Sequence, residues 1–586
     1  MATEPDSGTR PTDLVPEEER AWWKEGFVYQ IYPRSFNDSN GDGIGDIRGI
    51  IQKLDYLDDL GVDVVWLNPV YDSPQVDGGY DIRDYRAIHD EYGCMDDWEE
   101  LLEGMHDRDM RLIMDLVVNH TSDEHEWFAK SKRGEDGYDD YYWWRSTGGG
   151  LPNNWTSSFG GPAWTYDVDR GQYYLHLFHS KQPDLNWENP EVRGDVYDMV
   201  DWWLSKGIDG FRMDVINLIS KNPELPDGHP GGWTGMEHHT NGPRVHDYLD
   251  ELHDETYGNY DAMTVGECID ADPERAKRFC HPDNGGMSMV FHYEHMMLDF
   301  RSDGGWWEVG DWSVGDLRDV ISRWQRELED SEAWNTIFLG THDWPRIVSR
   351  WGDAQHYRRE SAKLLATFLF TLQGTPYLLQ GDEIGMTNFP FERIDQIRDA
   401  ETRGRIRFIL DDARSRSLTE LERVALEDEG FQRVKDIVRY RCRDNARTPV
   451  QWSDDAQAGF TDGEPWLAVN PNHTEINVEA AREDPDSVWH HYRDLIDLRS
   501  DSDLLVYGEY GLLVPHHDRV WAYERTLGEQ RAVVVLNWSS ESATVGGLDL
   551  GPEPSLVLDT HDRTNGDGHA EPLELDPWEA RVYRTQ

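Results

Sequence analysis

The chain runs to 586 residues, too many for one ordinary domain and enough to bury a large core. Its 115 Asp and Glu stand against 56 Lys and Arg, a net charge of −59, and a field of that sign excludes nucleic acid and anionic membrane surfaces as partners. With no apolar run of about 18 residues and no signal-peptide core, neither a membrane span nor export is expected.

Residues 1–20 are acidic, contain Pro and read as a loose arm. "FVYQIYP" is the first strand candidate, and "DSNGDGIGD" (Asp38–Asp46) follows with an oxygen-bearing side chain at nearly every second position. Asp38, Asn40 and Asp42 fit positions 1, 3 and 5 of a calcium loop, Gly43 makes its turn and Ile44 offers a carbonyl. The twelfth position is Gly49 rather than Glu, and a strand precedes the loop, so a hard cation in another setting is expected.

Further along, "VDVVWLNP", "RLIMDLVVNH", "IDGFRMD", "AMTVGE", "MSMVFH", "TIFLGTHD" and "TPYLLQGDE" bring the strand candidates to eight. Helical periods fall between them, in "DIRGIIQKLDYLDDLG", "DDWEELLEGMHDRDM" and "RVHDYLDELHDETYG". Eight strands alternating with helices predict an α/β fold, a closed (β/α)8 TIM barrel, over residues 21–120 and 188–503. The Gly-, Asn- and Trp-rich stretch 121–187 breaks the rhythm and predicts a small inserted domain after the third strand. From Leu504 the pattern turns to closely spaced strands ("LLVYGEYGLLV", "VWAYERT", "RAVVVLNWS", "SLVLDT", "ARVYRT"), which predicts an antiparallel β-sandwich over 504–586.

In a parallel barrel the functional residues gather at the C-terminal strand ends. Those ends carry Asp115, Asn119 and His120, then Arg212 and Asp214, then Glu267, then His342 and Asp343. One acid at a strand end is ordinarily a cap or an ion-pair partner. Three from three strands, with Arg and His beside them, have a chemical use. Two carboxyls about 5–5.5 Å apart are what retaining glycoside hydrolysis needs, one attacking the anomeric carbon and one protonating the leaving oxygen. Arg212, two residues before Asp214 on the same strand face, favours an ionised nucleophile, while Glu267 beside other carboxylates in a partly dry pocket is expected to hold its proton.

"DLVVNH", "GFRMD", "VGE" and "HD", in that order and at those strand ends, resemble the α-amylase family, glycoside hydrolase family 13, from about Gly26 to the C-terminus. The resemblance implies Asp214 as nucleophile, Glu267 as general acid/base and Asp343 as transition-state stabiliser. "GGYDIRDY" is similar to the family's segment that supplies a stacking Tyr80 and an Asp81 for the distal hydroxyls of a terminal glucose. His120, Arg212 and His342 resemble the other ligands of that subsite, Arg447 of "NARTPVQW" the partner of Asp81, and Phe159 of "SSFGG" an apolar wall. "QPDLNW", "GTPYLLQGDEIGM" and "RDNARTP" resemble the oligo-1,6-glucosidase subgroup, in which the loop after the first strand would hold calcium or magnesium on Asp38, Asn40, Asp42, Asp46 and the Ile44 carbonyl.

This resemblance implies a retaining, exo-acting α-glucosidase for short oligosaccharides, with no organic cofactor. Val215 after the nucleophile accompanies α-1,6 cleavage in this subgroup, with α-1,4 cleavage left open. "THDWPR" departs from the family by placing Thr341 before His342 and Trp344 after Asp343, so a broad stacking face replaces an amide near the leaving group. "MLDFRSD" lacks the Arg-rich loop of the family's sucrose isomerases, which makes isomerisation the lesser alternative beside glucosyl transfer. The superfamily's non-catalytic transporter subunits carry a membrane span and lose the carboxylates; this chain has neither feature.

Carboxylates are spread along the whole chain and Arg far outnumbers Lys, the composition of a protein from a salt-loving cell. The 26 Trp and 26 Tyr, many in polar company, suit sugar-stacking clefts as well as a core. Cys94, Cys268, Cys280 and Cys442 include no CxxC pair, so zinc and a disulfide framework are not expected, although one Cys268–Cys280 bridge stays open. A cytoplasmic monomer or small homo-oligomer is the expectation.

Overall fold

The computed structural model describes residues 14–281, 286–301, 305–329, 331, 333–412, 420–561 and 572–585. Most of the acidic arm expected over residues 1–20 therefore lies outside the described residues, as do positions 302 and 303 of "MLDFRSD".

The eight predicted strands form: β1 Val28–Ile31, β2 Val64–Leu67, β3 Arg111–Val117, β4 Gly210–Asp214, β5 Met263–Glu267, β6 Met289–Phe291, β7 Trp334–Ile337 and β8 Thr375–Leu379. Each pairs with its neighbours in sequence, and β1 joins β8 to close a parallel barrel. Runs such as Val64–Leu67 are apolar throughout and fully buried, because the strands are covered by side chains inside and helices outside. The predicted helical segments appear as Leu54–Leu60, Met95–His106 and Val245–Glu255, each turning a buried apolar stripe to the barrel.

Between β3 and β4 a three-stranded sheet forms from Trp144–Arg145, Gln172–Leu175 and Trp164–Asp167. Its core of Trp143, Trp155, Trp164 and Leu175 continues into Val215 and Leu218 just beyond β4, which seats this excursion over one side of the barrel mouth. After β8 come two long helices, Ala400–Asp412 and Glu420–Arg441, whose packing includes Phe389, Ile397, Phe431 and Val438. The second ends two residues before Arg443, so the pair delivers that side chain to the mouth.

At the C-terminus, β9 Glu509–Leu512, β10 Val520–Leu527, β11 Gln530–Asn537, β12 Ser555–Asp559 and β13 Ala580–Thr585 make an antiparallel sheet in the order β9-β10-β11-β13-β12. Alternation sends Trp521, Tyr523, Val534 and Val582 into the main core and Val520, Val533 and Val535 against a ribbon of Ala543–Val545 with Leu573–Leu575. The stretch "LLVY", read as strand from Leu504, is instead helix Asp503–Tyr507. Ser502 caps it by accepting from the Leu505 amide, and burial of Leu504, Leu505 and Val506 decides against the β-propensity of the sequence.

All four cysteines are free thiols, so no Cys268–Cys280 bridge forms. Among the described residues no helix is long and apolar enough to cross a membrane.

Candidate active site

Strand register brings the acids together. Asp115 on β3 and Val265 on β5 both stand beside Arg212 on β4, so two residues further along Asp214 and Glu267 come level on adjacent strands. Adjacent strands lie about 4.8 Å apart. Arg212 then bridges the set: Nη1 donates to Asp115 Oδ1 and Asp214 Oδ1, both at 2.7 Å, and Nη2 to Glu267 Oε2 at 2.5 Å. Two carboxyls on adjacent strands that share one guanidinium are close neighbours, as retaining hydrolysis requires of its nucleophile and acid.

Val215 follows with φ +36° and ψ 41°, a left-handed conformation that costs a β-branched residue. Its amide, turned by that twist, donates to Glu267 Oε2 at 3.2 Å. Tyr293, two residues past β6, donates to Glu267 Oε1 at 3.0 Å. Glu267 is thus gripped at both oxygens.

Charge counts matter here, since one guanidinium serves three buried carboxyls. Contrary to the ionised nucleophile expected from Arg212, burial, with Glu267 and Asp115 close by, pushes the Asp214 carboxyl well up against the pull of Arg212. Burial likewise pushes Asp115 up to about 6 while Arg212 and the Trp66 indole oppose it. Asp343 behaves in the opposite way. Burial would raise it, but His342, Arg443, Arg447 and Arg212 outweigh that and hold it below the ordinary carboxylate range. His342 and His120 are both kept neutral by burial.

His342 Nδ1 meets Gln30 Nε2 at 2.7 Å, its Nε2 lies 3.2 Å from Asp343 Oδ2, and the Tyr80 ring stacks on it at 5.3 Å with planes 6° apart. Tyr80 Oη receives a bond from Asn68 at 2.7 Å. Tyr80, His120 and Phe159 line the same cavity as Asp214, Glu267 and Asp343.

The expected pairing of Asp81 with Arg447 does not form. Asp81 is buried behind the cavity, where its two oxygens accept the Val76 and Asp77 amides at 2.9 and 3.0 Å. Asp77 takes its place: it lines the cavity and receives Arg443 Nη2 at 2.8 Å. Gly78 enables this, with φ +59° and no room for a Cβ, which would lie 2.5 Å from the Tyr32 hydroxyl. Arg447 instead donates to Asp343 Oδ1 at 2.8 Å and to the His342 carbonyl at 3.0 Å.

Sequence reasoning also missed Gln182, which reaches both Asp77 Oδ2 and His120 Nε2 at 3.2 Å, and Phe178, 5.3 Å from the His120 ring. "QPDLNW" and "RDNARTP" contained Gln182 and Arg443, but nothing local to those motifs tells which polar side chain faces inward.

Away from this cavity, the loop Asp38–Asp46 winds through successive side-chain turns: Asp38 Oδ1 accepts from the Asn40 and Gly41 amides, Asn40 Oδ1 from Asp42, and Asp42 Oδ1 from Ile44, at 2.8–2.9 Å. Gly43 has φ +93°, and a Cβ there would strike the Glu464 carbonyl at 1.9 Å. Burial would raise the Asp38 carboxyl, but bonds from Thr461 and the Gly43, Gly41 and Asn40 amides hold it down, so it stays ionised. Asp46 caps the next helix through the Gly49 amide and receives Ser39 on its other oxygen. Asp38, Asn40, Asp42 and Asp46 bring to this loop the hard oxygen donors that calcium and magnesium take.

Residues 30–508 match the family described as "Alpha amylase, catalytic domain". The chain is similar to an oligo-1,6-glucosidase of Parageobacillus thermoglucosidasius, 52% identical over 574 residues that span 97% of this chain and 99% of the relative. Among solved structures it resembles Bacillus licheniformis trehalose-6-phosphate hydrolase, with TM-score 0.87, 42% identity and coverage of 96% and 100%. It also resembles isomaltulose synthase from Klebsiella sp. LX3, with TM-score 0.89, 42% identity and coverage of 97% and 100%.

Proposed function

The chain belongs to the α-amylase family and is a glycoside hydrolase, and from that premise we propose a retaining α-glucosidase that removes terminal glucosyl residues from short oligosaccharides. The observation that carries this reading is the grip of Arg212 on Asp214 and Glu267 at one level of the barrel mouth.

Asp214 attacks the anomeric carbon as the bond to the leaving oxygen breaks, and Glu267 gives that oxygen its proton. The product of this step is a glucosyl ester of Asp214. Water then attacks the same carbon, Glu267 takes a proton from it, and the ester bond breaks to free Asp214 and glucose of retained configuration. Asp343, ionised throughout, offsets the positive charge that develops on the ring between the two steps. Tyr80 stacks beneath the sugar, while His120, His342, Asp77 and Arg443 bind its hydroxyls and close the far end, which makes the action exo.

Isomaltose-type α-1,6 bonds are the favoured substrate and α-1,4 bonds the second. Val215 and the oligo-1,6-glucosidase relative support that order. Glucosyl transfer or isomerisation is the alternative, since a sugar can replace water at the ester and an isomaltulose synthase is among the similar structures. The structural ion is calcium or magnesium on Asp38, Asn40, Asp42, Asp46 and the Ile44 carbonyl, where it ties the loop after β1 and takes no part in the chemistry. The even spread of acid points to a salt-adapted protein, and the four free thiols suit a reducing cytoplasm.

The test is a time course on isomaltose, maltose and sucrose in molar salt, with the anomer of the released glucose read by NMR. First-formed α-glucose from isomaltose, ahead of maltose, is expected; first-formed β-glucose would overturn the reading.

A further inference from the structure

Helix Ala400–Asp412 lends no residue to the lining of the glucosyl cavity, yet it touches two that line it. At its start Asp399 accepts the Glu401 and Thr402 amides, each at 3.1 Å, and the same carboxylate receives Arg443 Nε at 2.8 Å. One turn further, Gly404 meets the excursion between β3 and β4: a Cβ there would stand 2.9 Å from the Phe159 carbonyl oxygen, closer than a side-chain carbon can stand to main chain. Phe159 is held in place. Its amide donates to Ser157 Oγ at 3.0 Å, the Ser158 amide to the Leu177 carbonyl at 2.8 Å, and the Arg443 guanidinium lies 5.1 Å over its ring. Glycine is the weakest helix former after proline, so one in a helix interior wants a reason, and here it is the approach to Phe159. Gly194, inside helix Pro190–Ser205, has only open space around the same position.

We propose that Gly404 is a positioning residue for the terminal glucose: by letting the helix seat on the Phe159 carbonyl, it fixes the gap between Phe159 and Arg443, two walls of the cavity. This rests on the α-glucosidase reading above. A methyl group at position 404 must displace either the Phe159 main chain or the helix. The first moves one wall; the second moves Asp399 and, through it, Arg443. Asp214, Glu267 and Arg212 ride on barrel strands and stay where they are. Contact with the sugar is then lost in the ground state and the transition state alike, which raises KM and leaves kcat nearly untouched.

The experiment measures KM and kcat on α-glucosyl fluoride, the inhibition constant of glucose, and the melting temperature. In Gly404→Ala, KM and the inhibition constant are expected to rise together by about five- to tenfold, with kcat within about twofold of the wild type. Its melting temperature should hold or rise, since Ala favours the helix. Asp399→Asn keeps a capping side chain but gives up the charge on Arg443; it should shift both constants the same way, and it carries the test if Gly404→Ala yields no folded protein. Gly194→Ala, the control for helix propensity, should move neither constant. Wild-type values of KM and of the inhibition constant in either variant would overturn the positioning role alone, as would a Gly404→Ala enzyme that loses kcat and melting temperature with KM unmoved. A wild-type enzyme that neither turns over the fluoride nor binds glucose would overturn the hydrolase reading and this inference with it.

Discussion

Arg443 reaches across 366 positions of sequence to donate to Asp77 at 2.8 Å, and this contact closes the blind end of the glucosyl cavity. The same guanidinium also meets Asp399 at 2.7 Å and Asp343 at 3.2 Å. Removing it takes the shared cation from three carboxylates, Asp77, Asp343 and Asp399, which keep only their other hydrogen bonds, so Arg443→Ala is expected to cost about 3–5 kcal/mol of stability, read from chemical denaturation. Asp77→Asn is expected to lower kcat/KM by about 10–100-fold. A double-mutant cycle of Asp77→Ala and Arg443→Ala should fall short of the sum of the two, and full additivity would count against the pairing.

Asp214 and Glu267 divide the chemistry, and their substitutions should differ in kind. Asp214→Asn loses the nucleophile and is expected to cost about 10⁴-fold or more on every glucoside. Glu267→Gln is expected to spare p-nitrophenyl α-glucoside relative to isomaltose, because nitrophenol leaves without a proton. Mass spectrometry after 5-fluoro-α-glucosyl fluoride should find the adduct on the peptide that carries Asp214. Label on any other carboxyl would reassign the nucleophile.

Chelation tests the loop Asp38–Asp46. EDTA is expected to lower the melting temperature by about 2 °C, the effect of losing a site filled to about 100 times its Kd in a protein of this size. Specific activity measured well below the new transition should be retained. Immediate loss of turnover without a change in melting temperature would place the ion in the chemistry instead.

Self-repulsion from a net charge of −59 should make stability depend on salt. The melting temperature is expected to rise between about 0.1 M and about 3 M KCl, as counterions screen the surface. Equal values at the two concentrations would remove the case for salt adaptation.

Buried acid sets a pH dependence with a definite sign. Burial, only partly opposed by Arg346, pushes the Asp382 carboxyl up to about 7. The unfolded chain ionises this group near pH 4, so unfolding releases a proton across that window. Its contribution to stability therefore falls as pH rises from about 4 to about 7, by roughly 4 kcal/mol. Asp382→Asn should flatten the difference between unfolding free energies at pH 5 and pH 8. Asp343, held low, acts the other way: its contribution is present above the unfolded value and is lost only in acid.

Much of this was legible in the sequence because barrel strands announce themselves. Val64–Leu67 and Gly210–Asp214 are short, apolar and bounded by breaks, and parallel register converts strand-end acids into neighbours. Asp77 and Asp81 show where that legibility stopped. Both are acids in "VDGGYD", and which one faces the sugar is decided by the left-handed turn at Gly78 and the capture of Asp81 by two backbone amides. Arg443 was hidden for a related reason. It is carried in by the helices after β8 rather than by a barrel strand, and no local pattern records where a helix ends in space. At Leu504 a cap and three buried side chains outweighed a strand-like composition.

Arg212, one cation among three carboxyls, leaves the socket electron-rich before any sugar arrives. A guest that brings its own positive charge, such as a protonated amine shaped like a glucose ring, answers that surplus, whereas a neutral sugar does so only as its anomeric carbon begins to ionise. Basic ring mimics should therefore hold on far longer than the substrates they imitate, and amine buffers belong outside the assay.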